Sequence, residues 1–494
     1  MRAILAASIS CGLVALALAS ASLPATAQIE PSPPTQASLI NGDFSMVQAG
    51  APIGWRVKDP GISLTVRDGV AYLAPDGVRP NQRARLVQRI DAPPWRGKLI
   101  RLSARVRVLR AGDHVGLRIN VDRAQGLRGF NDIMEEAPLA AGDWRQVSLV
   151  GVVESDATAI EVGASLMGLI EIEIDDVRLE EFTDQSIPLS PAARAYLDRA
   201  ITIIRTHHMD AASRDWAAIE ARAYRHAAGA ATARDTYPAI RGVLSAMGDN
   251  HSFLHLPDPT TSDAMPTDRP LPAYSLLDGR YGYVSLPALN MLGPADRPFG
   301  RAYMQRLREG VRSLDGMPLC GWIIDLRQNS GGNMWPMLNG LTPLLGNPPF
   351  GSFIGGSARG RERWVLDRGL VTIEGRNMRD NGLNAGGFRL RQSTAPLAVL
   401  IGQNTASAGE AVAIAFAGRA ATRSFGRGSA GYTSANLPTD LSDGAILAVA
   451  SSWSADRTGR EYRAALTPDE GVPEGEELKA ARNWLDAQCA ARPR

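Results

Sequence analysis

From Leu39 to about Phe182, apolar and polar residues alternate in short runs broken by Gly, Pro and Asp. In Ile100-Arg-Leu-Ser-Ala-Arg-Val-Arg-Val108 and in Val115-Gly-Leu-Arg-Ile-Asn-Val121 every second side chain faces the same way, and Ile170-Glu-Ile-Glu-Ile174 continues the pattern. Period-two alternation with turn residues at this spacing predicts an antiparallel β-sandwich over 39–183, preceded by a Pro-rich polar linker over 28–38. At Ser190-Pro191 the period changes: a serine able to cap a helix precedes a proline at its first position. Apolar residues then recur at three- and four-residue spacing. They predict helices from about Ala192 to His207, from Asp215-Trp216 onward, and from about Asp235 to Met247, where Gly248 is the stop signal. This is a short helical lead over 188–256. Beyond it the β-runs Tyr283–Leu286, Gly321–Asp325, Leu397–Ile401 and Ala445–Ala450 are continuously apolar and alternate with helical segments. Such runs predict a sheet covered on both faces, in an α/β domain over 272–487.

The first residues change the domain count. Arg2, an apolar run to about Ala19 and the small-residue site Ala25-Thr26-Ala27 have the pattern of a secretory signal over 1–27. The run is too short and too rich in Ala and Ser for a membrane span, which needs ~20 strongly apolar residues. The expected location is therefore periplasmic or secreted. The 45% apolar content is enough for ordinary cores, and a net charge of +2 gives no electrostatic reason to expect a nucleic-acid or membrane partner. Of the three cysteines, Cys11 lies in the signal. Cys320 and Cys489 can form one disulfide in an oxidising compartment or stay unpaired thiols, the favoured reading, with Cys320 at the start of a buried strand. Lysine is scarce: Lys58, Lys98 and Lys479 are the only ones.

Three segments of the second half carry the candidate chemistry. Gly248-Asp-Asn-His251-Ser-Phe-Leu254 follows a helix, Asp325-Leu-Arg-Gln-Asn-Ser-Gly-Gly332 follows a buried strand, and Thr405-Ala-Ser407-Ala-Gly-Glu410 joins a buried strand to an apolar helix. A serine at a strand-to-helix junction sits where backbone N–H groups and the helix dipole favour a developing oxyanion. Paired glycines let a second strand end bring its own N–H close, since no Cβ intervenes. Together, in this order, with a Gly-Tyr-Val strand and a late Pro468-Asp469, the segments resemble the S41 family of C-terminal processing and tricorn-like serine peptidases. The resemblance covers roughly 192–485 and implies a ClpP/crotonase-like catalytic fold acting on a peptide or protein substrate. It implies Ser407 as nucleophile, with the N–H of Ala408 and one from Gly331 or Gly332 as the oxyanion hole. Asp325, Arg327, Asn329 and Glu410 would hold the loops.

The base separates the branches. Processing peptidases use a lysine some 20 to 25 residues past the serine; here that stretch is Ser424-Phe-Gly-Arg-Gly428, and Arg427 cannot lose its proton near neutral pH. No PDZ module fits between Pro257 and Tyr281. The tricorn-like branch instead takes a histidine from the first motif, which His251 matches, while His255 does not. Free imidazole titrates near ~6.5, so kcat/KM is expected to rise through a pKa of about 6 to 7. That branch also orients its histidine with a serine just before it, where Asn250 stands, and with a glutamate before the late Pro-Asp, for which Glu461 is the nearest carboxylate. The competing readings are a catalytically silent relative binding an apolar or glycan ligand, and an esterase of the α/β-hydrolase type. The esterase's nucleophile motif needs a glycine where Thr405 stands. No metal-ligand spacing or phosphate loop is present, so no cofactor or metal is expected. Asn41-Gly-Asp-Phe44, Gly54-Trp55, Asp143-Trp144 and Ile174-Asp-Asp-Val177 resemble jelly-roll modules of the carbohydrate-binding type. That resemblance makes a glycan a candidate partner of the sandwich, with Trp55, Trp95 and Trp144 either as stacking platforms or, as aromatic residues of small sandwiches more often do, filling the core.

Overall fold

A computed structural model describes residues 38–491, apart from residues 60, 78–82, 136, 184–186, 258–268, 292–295, 356–359, 375 and 377–388. The signal and nearly all of the linker expected at the N-terminus lie outside the described residues. The alternating runs pair into two five-stranded antiparallel sheets. In spatial order one runs Arg145–Val152, Leu99–Arg110, Glu171–Glu181, Val70–Pro75, Ile62–Arg67; the other runs Arg56–Val57, Arg83–Asp91, Ala157–Met167, His114–Arg123, Arg128–Asp132. Their inward residues, among them Leu102, Ala104, Val106, Leu117, Ile119, Ile172 and Ile174, form one shared core. The outward residues Arg105, Arg107, Asp175 and Glu173 pair across strands. This face does not present bare tryptophans. Trp55 is buried and donates its Nε1 hydrogen to the Asn41 carbonyl at 2.9 Å. Trp95 packs on the core, and Trp144 has the guanidinium groups of Arg105 and Arg107 at 5.0 and 5.3 Å.

The helical lead forms as its pattern predicts. Helix α1 is Pro191–His207, with the Ser190 hydroxyl accepting the Ala193 N–H at 3.1 Å. Helix α2 is Trp216–His226, and α3 is Tyr237–Met247. Gly248 ends α3 at φ 70°, a left-handed conformation that glycine adopts without a Cβ clash. These helices pack on the sandwich through polar contacts as well as apolar ones. His226 Nε2 lies 2.9 Å from the Val150 carbonyl, Arg241 pairs with buried Asp132 at 2.7 Å, and the Ser245 hydroxyl donates to Glu154. The sandwich, the helices and the α/β part thus form one compact unit, and the sandwich is not strung on a tether.

The α/β part contains two sheets, where the run pattern predicts one. The first has the order Ala273–Leu277, Tyr281–Ser285, Gly321–Asp325, Leu397–Ile401, Thr422–Gly426, Glu470–Gly471, and every pair after the first is parallel. One face meets α4 (Arg297–Asp315), α5 (Met334–Leu341) and α6 (Ala408–Phe416), and the other meets α7 (Glu477–Ala490). The run at 445–450 belongs instead to Ile446–Asp456, the long strand of a separate antiparallel sheet that also holds Phe253–His255 and Ser434–Asp440. Cys320 and Cys489 form a disulfide, with an S–S distance of 2.06 Å. Of the two readings the sequence leaves open, the disulfide is the one found, and the preference for free thiols is corrected: α7 folds back across the sheet and brings together cysteines 169 residues apart. Among the described residues no helix is long and apolar enough to cross a membrane.

Candidate active site

The parallel strands carry their functional loops at their carboxyl ends. Strand Leu397–Ile401 is wholly buried, and α6, apolar on nearly every side, packs down into the core. The turn between them is tied to its neighbour. The Thr405 hydroxyl donates to the Leu326 carbonyl at 2.9 Å and accepts the Gly402 N–H at 2.9 Å. The Ala406 N–H donates to the Asn329 carbonyl, also at 2.9 Å. A Cβ on Gly409 would stand 2.6 Å from that same carbonyl, so the two loops can approach only because position 409 is glycine. Within this frame Ser407 adopts φ 50° and ψ −113°, a conformation costly for a residue with a Cβ. Glu410 holds it there, accepting the Ser407 N–H at 2.8 Å, the Gly431 N–H at 2.8 Å and the Ser429 hydroxyl. Burial pushes the Glu410 carboxyl above the ordinary carboxylate range, and the three donors pull against that shift.

The glycine pair lies beside the serine. A Cβ on Gly331 would stand 2.9 Å from Ser407 Cβ and 3.5 Å from its Oγ. A Cβ on Gly332 would collide with the Leu289 carbonyl at 2.0 Å, so both positions exclude a side chain for different reasons. The Gly331 N–H is already given to Asn329 Oδ1 at 3.0 Å. Among the described residues no acceptor takes the N–H of exposed Gly332 or that of Ala408, the first residue of α6. Asp325 and Arg327 form a bidentate pair that also reaches Glu477 and the Tyr283 hydroxyl, bracing the start of this loop.

His251 comes from a different part of the molecule and meets Ser407. Its Nε2 lies 2.9 Å from Ser407 Oγ, and its Nδ1 lies 3.0 Å from the hydroxyl of Ser434, on the antiparallel sheet. Asp249 accepts the backbone N–H groups of His251 at 2.7 Å and Ser252 at 2.5 Å, while its other oxygen is 2.9 Å from buried His208 Nε2. Burial works against the Asp249 charge, but His208 and the two N–H groups outweigh it and hold the carboxyl below its ordinary range. Asn436 donates to the His251 carbonyl at 2.9 Å, and the Tyr432 ring stacks on the imidazole with centroids 5.6 Å apart. Burial lowers the His251 pKa to about 4, against the opposing pull of Asp249 and Ser434. The expected titration near 6 to 7 is corrected accordingly, because desolvation of the imidazolium is the largest influence on this ring.

Glu461 is not at the histidine. It pairs with Arg463 at 2.8 Å, in a two-residue strand whose partners are Ser454 and Ala455. Ser434 occupies the orienting position instead, a residue that no sequence signal marks. Asp469 accepts the N–H and hydroxyl of Ser424, both at 2.8 Å, and Arg427 pairs with Glu474 at 3.0 Å. His255 sits in the strand Phe253–His255, its backbone paired with Ile446. Among the described residues no group of His, Cys, Asp and Glu is arranged to hold a metal ion.

The chain is similar to several known proteins. Over 283 residues the chain is 25% identical to the nisin-resistance protein of Lactococcus lactis subsp. lactis, covering 56% of this chain and 81% of that protein. A lipoprotein from Streptococcus agalactiae has the same fold over 60% of this chain and 98% of its own, with a TM-score of 0.52 and 22% identity. A CBM4 structure overlaps 29% of this chain and 99% of its own at 20% identity, with a TM-score of 0.23. The model of Peptidase family S41 matches residues 280–472, the stretch that contains the glycine pair, Ser407 and Ser434.

Proposed function

We propose that the protein is an exported serine peptidase in which Ser407 is the nucleophile and His251 the general base. The observation that carries this reading is the 2.9 Å approach of His251 Nε2 to Ser407 Oγ, within the reach proton transfer requires. The His251 Nδ1 hydrogen is given to Ser434, which leaves Nε2 as the acceptor. Nε2 takes the Ser407 proton as Oγ attacks the scissile carbonyl carbon. The carbonyl oxygen gains the negative charge between the N–H groups of Ala408 and Gly332, at the positive end of α6. Collapse breaks the C–N bond, and the imidazolium returns its proton to the departing amine. A water molecule, deprotonated by the same nitrogen, then hydrolyses the Ser407 ester and releases the acid. Among the described residues no carboxylate touches the ring, so the imidazolium formed in transit is stabilised by Asp249 at longer range and by the Ser434 backbone, with the Ser434 hydroxyl 3.0 Å from Nδ1.

An extracytoplasmic location is supported by the signal pattern and by the Cys320–Cys489 disulfide, a bond that persists in oxidising compartments. The substrate is a peptide or protein, and similarity to a nisin-resistance protein makes nisin the first peptide to test alongside casein. A fluorophosphonate probe should label the wild-type chain covalently, and Ser407→Ala should remove both labelling and hydrolysis without loss of fold. Equal labelling of the two proteins would overturn the assignment.

A further inference from the structure

The loop that carries His251 is gripped by the β-sandwich. Asn250, next to the histidine, accepts the Arg128 backbone N–H through Oδ1 at 2.6 Å and donates from Nδ2 to the Gly126 carbonyl at 3.4 Å. Both partners lie at the turn that leads into the sandwich strand Arg128–Asp132. One turn back in α3, Arg123 donates to the Ser245 carbonyl at 2.8 Å while its guanidinium is held by both oxygens of Asp156 at 2.7 and 3.1 Å. Arg123 is 12% exposed, so this is a partly desolvated clamp, and it holds a carbonyl of the last turn of α3 that also accepts the Gly248 N–H at 3.1 Å. The Ser245 hydroxyl and Arg241 reach Glu154 and Asp132 from the same helix. The end of α3, the Gly248 turn and the loop to Ser252 are therefore located by three sandwich segments, and His251 hangs from that assembly.

We propose that the sandwich is a positioning module for the active site, and that Asn250, through the Gly126–Arg128 turn, sets the distance from His251 to Ser407. This rests on the Ser407–His251 reading. A ring displaced by about 1 Å loses its alignment with Oγ, an error that costs on the order of a hundredfold in rate even when its source is remote. The substrate need not touch Asn250 for this to hold, so the effect falls on turnover and not on binding.

The test uses the full chain with Asn250→Ala and Asn250→Asp, the latter keeping an acceptor for the Arg128 N–H. For Asn250→Ala, kcat and the second-order rate of fluorophosphonate labelling should each fall about ten- to a hundredfold, with KM and Tm close to wild type. Asn250→Asp should recover most of both rates. Because Asn250 is half-buried at the rim of the interface, its truncation leaves the fold standing. Wild-type labelling in Asn250→Ala, or a fall in kcat that the aspartate does not rescue, would overturn the proposal. Ser407→Ala run in parallel keeps the two ideas apart: if it still labels, the reading of the active site fails, and if only Asn250→Ala behaves as wild type, the positioning role alone fails.

Discussion

The two halves of the candidate site are held in opposite ways. Ser407 is fixed from nearby, by Glu410 three residues on, by the adjacent strand end through Thr405, Ala406 and Asn329, and by the glycine pair at its side. His251 is fixed from afar, by Ser434 183 residues away, by Asn436 185 residues away and, through its neighbour Asn250, by Arg128 122 residues away. Asp249 is its one close support along the chain among the described residues. The nucleophile arm thus belongs to one parallel sheet and forms when that sheet forms. The base arm exists only after the sandwich, the helices and the antiparallel sheet have come together. Losses on the first arm should be local and steep, whereas those on the second should be graded and spread over residues that never meet substrate.

The largest effect should come where the arms meet. His251→Ala removes the proposed base and should lower kcat/KM by at least about 10³-fold, with the double variant His251→Ala/Ser407→Ala little worse if the pair acts as a unit. Additive losses in the double variant would show that the two do not work together. Next is Gly331→Ala. The added methyl would stand 2.9 Å from Ser407 Cβ in a residue whose φ is 115°, so either the serine or the glycine loop must move. A loss of about 10²–10³-fold, comparable to removing an oxyanion donor, is expected in kcat, and steady-state kinetics on a short peptide would measure it. A mild effect would mean that the nucleophile arm is softer than its hydrogen bonds imply.

Legibility in the sequence divides along the same line. Strand alternation in runs such as Ile170–Ile174 and the wholly apolar Leu397–Ile401 reports directly on which faces are buried, so the sandwich and the parallel sheet are legible. The Ser407 loop is legible too, since its supports lie inside two continuous motifs. Ser434 is not, because a serine at the start of a strand has no local pattern, and only the antiparallel pairing of Ser434–Asp440 with Ile446–Asp456 brings it to the histidine. Glu461 looks suitable by its place in the chain, yet the turn at Arg457–Arg460 directs it to Arg463. The disulfide and the docking of Asn250 on the sandwich are likewise tertiary facts that composition does not carry.

Smaller losses should separate the orienting groups. Ser434→Ala removes the Nδ1 partner and frees the ring to take either tautomer, so kcat should fall about tenfold with KM unchanged, in line with one neutral hydrogen bond. Glu461→Gln, distant from the ring by its pairing, should stay within about twofold of wild type, since exposed ion pairs contribute little. The opposite ranking would return the glutamate to the site.

The finest test is the pH dependence, because it reads the desolvation of the base arm directly. With its pKa lowered to about 4, His251 is neutral throughout the range in which a free imidazole would take up a proton. The acid limb of kcat/KM and of probe labelling should therefore lie near 4, with no step between 6 and 7. The same shift has a counterpart in stability. The unfolded chain protonates this histidine near 6.5 and the folded chain only near 4, so the unfolded state binds more protons in between. Stability is then lost as pH falls from about 6.5 to about 4, by roughly 1.4 kcal/mol per pH unit for each such group. His226, buried against the Val150 carbonyl and also lowered to about 4, acts in the same direction, while the carboxyls of Glu154, Asp132 and Glu410, raised by burial, act in the other. Comparing wild type with His251→Gln by chemical denaturation at several pH values cancels those shared groups. The variant should lose less stability on acidification over that window. Parallel curves for the two proteins, together with a rate step near 6.5, would place His251 in water and undo the picture of a buried base held from afar.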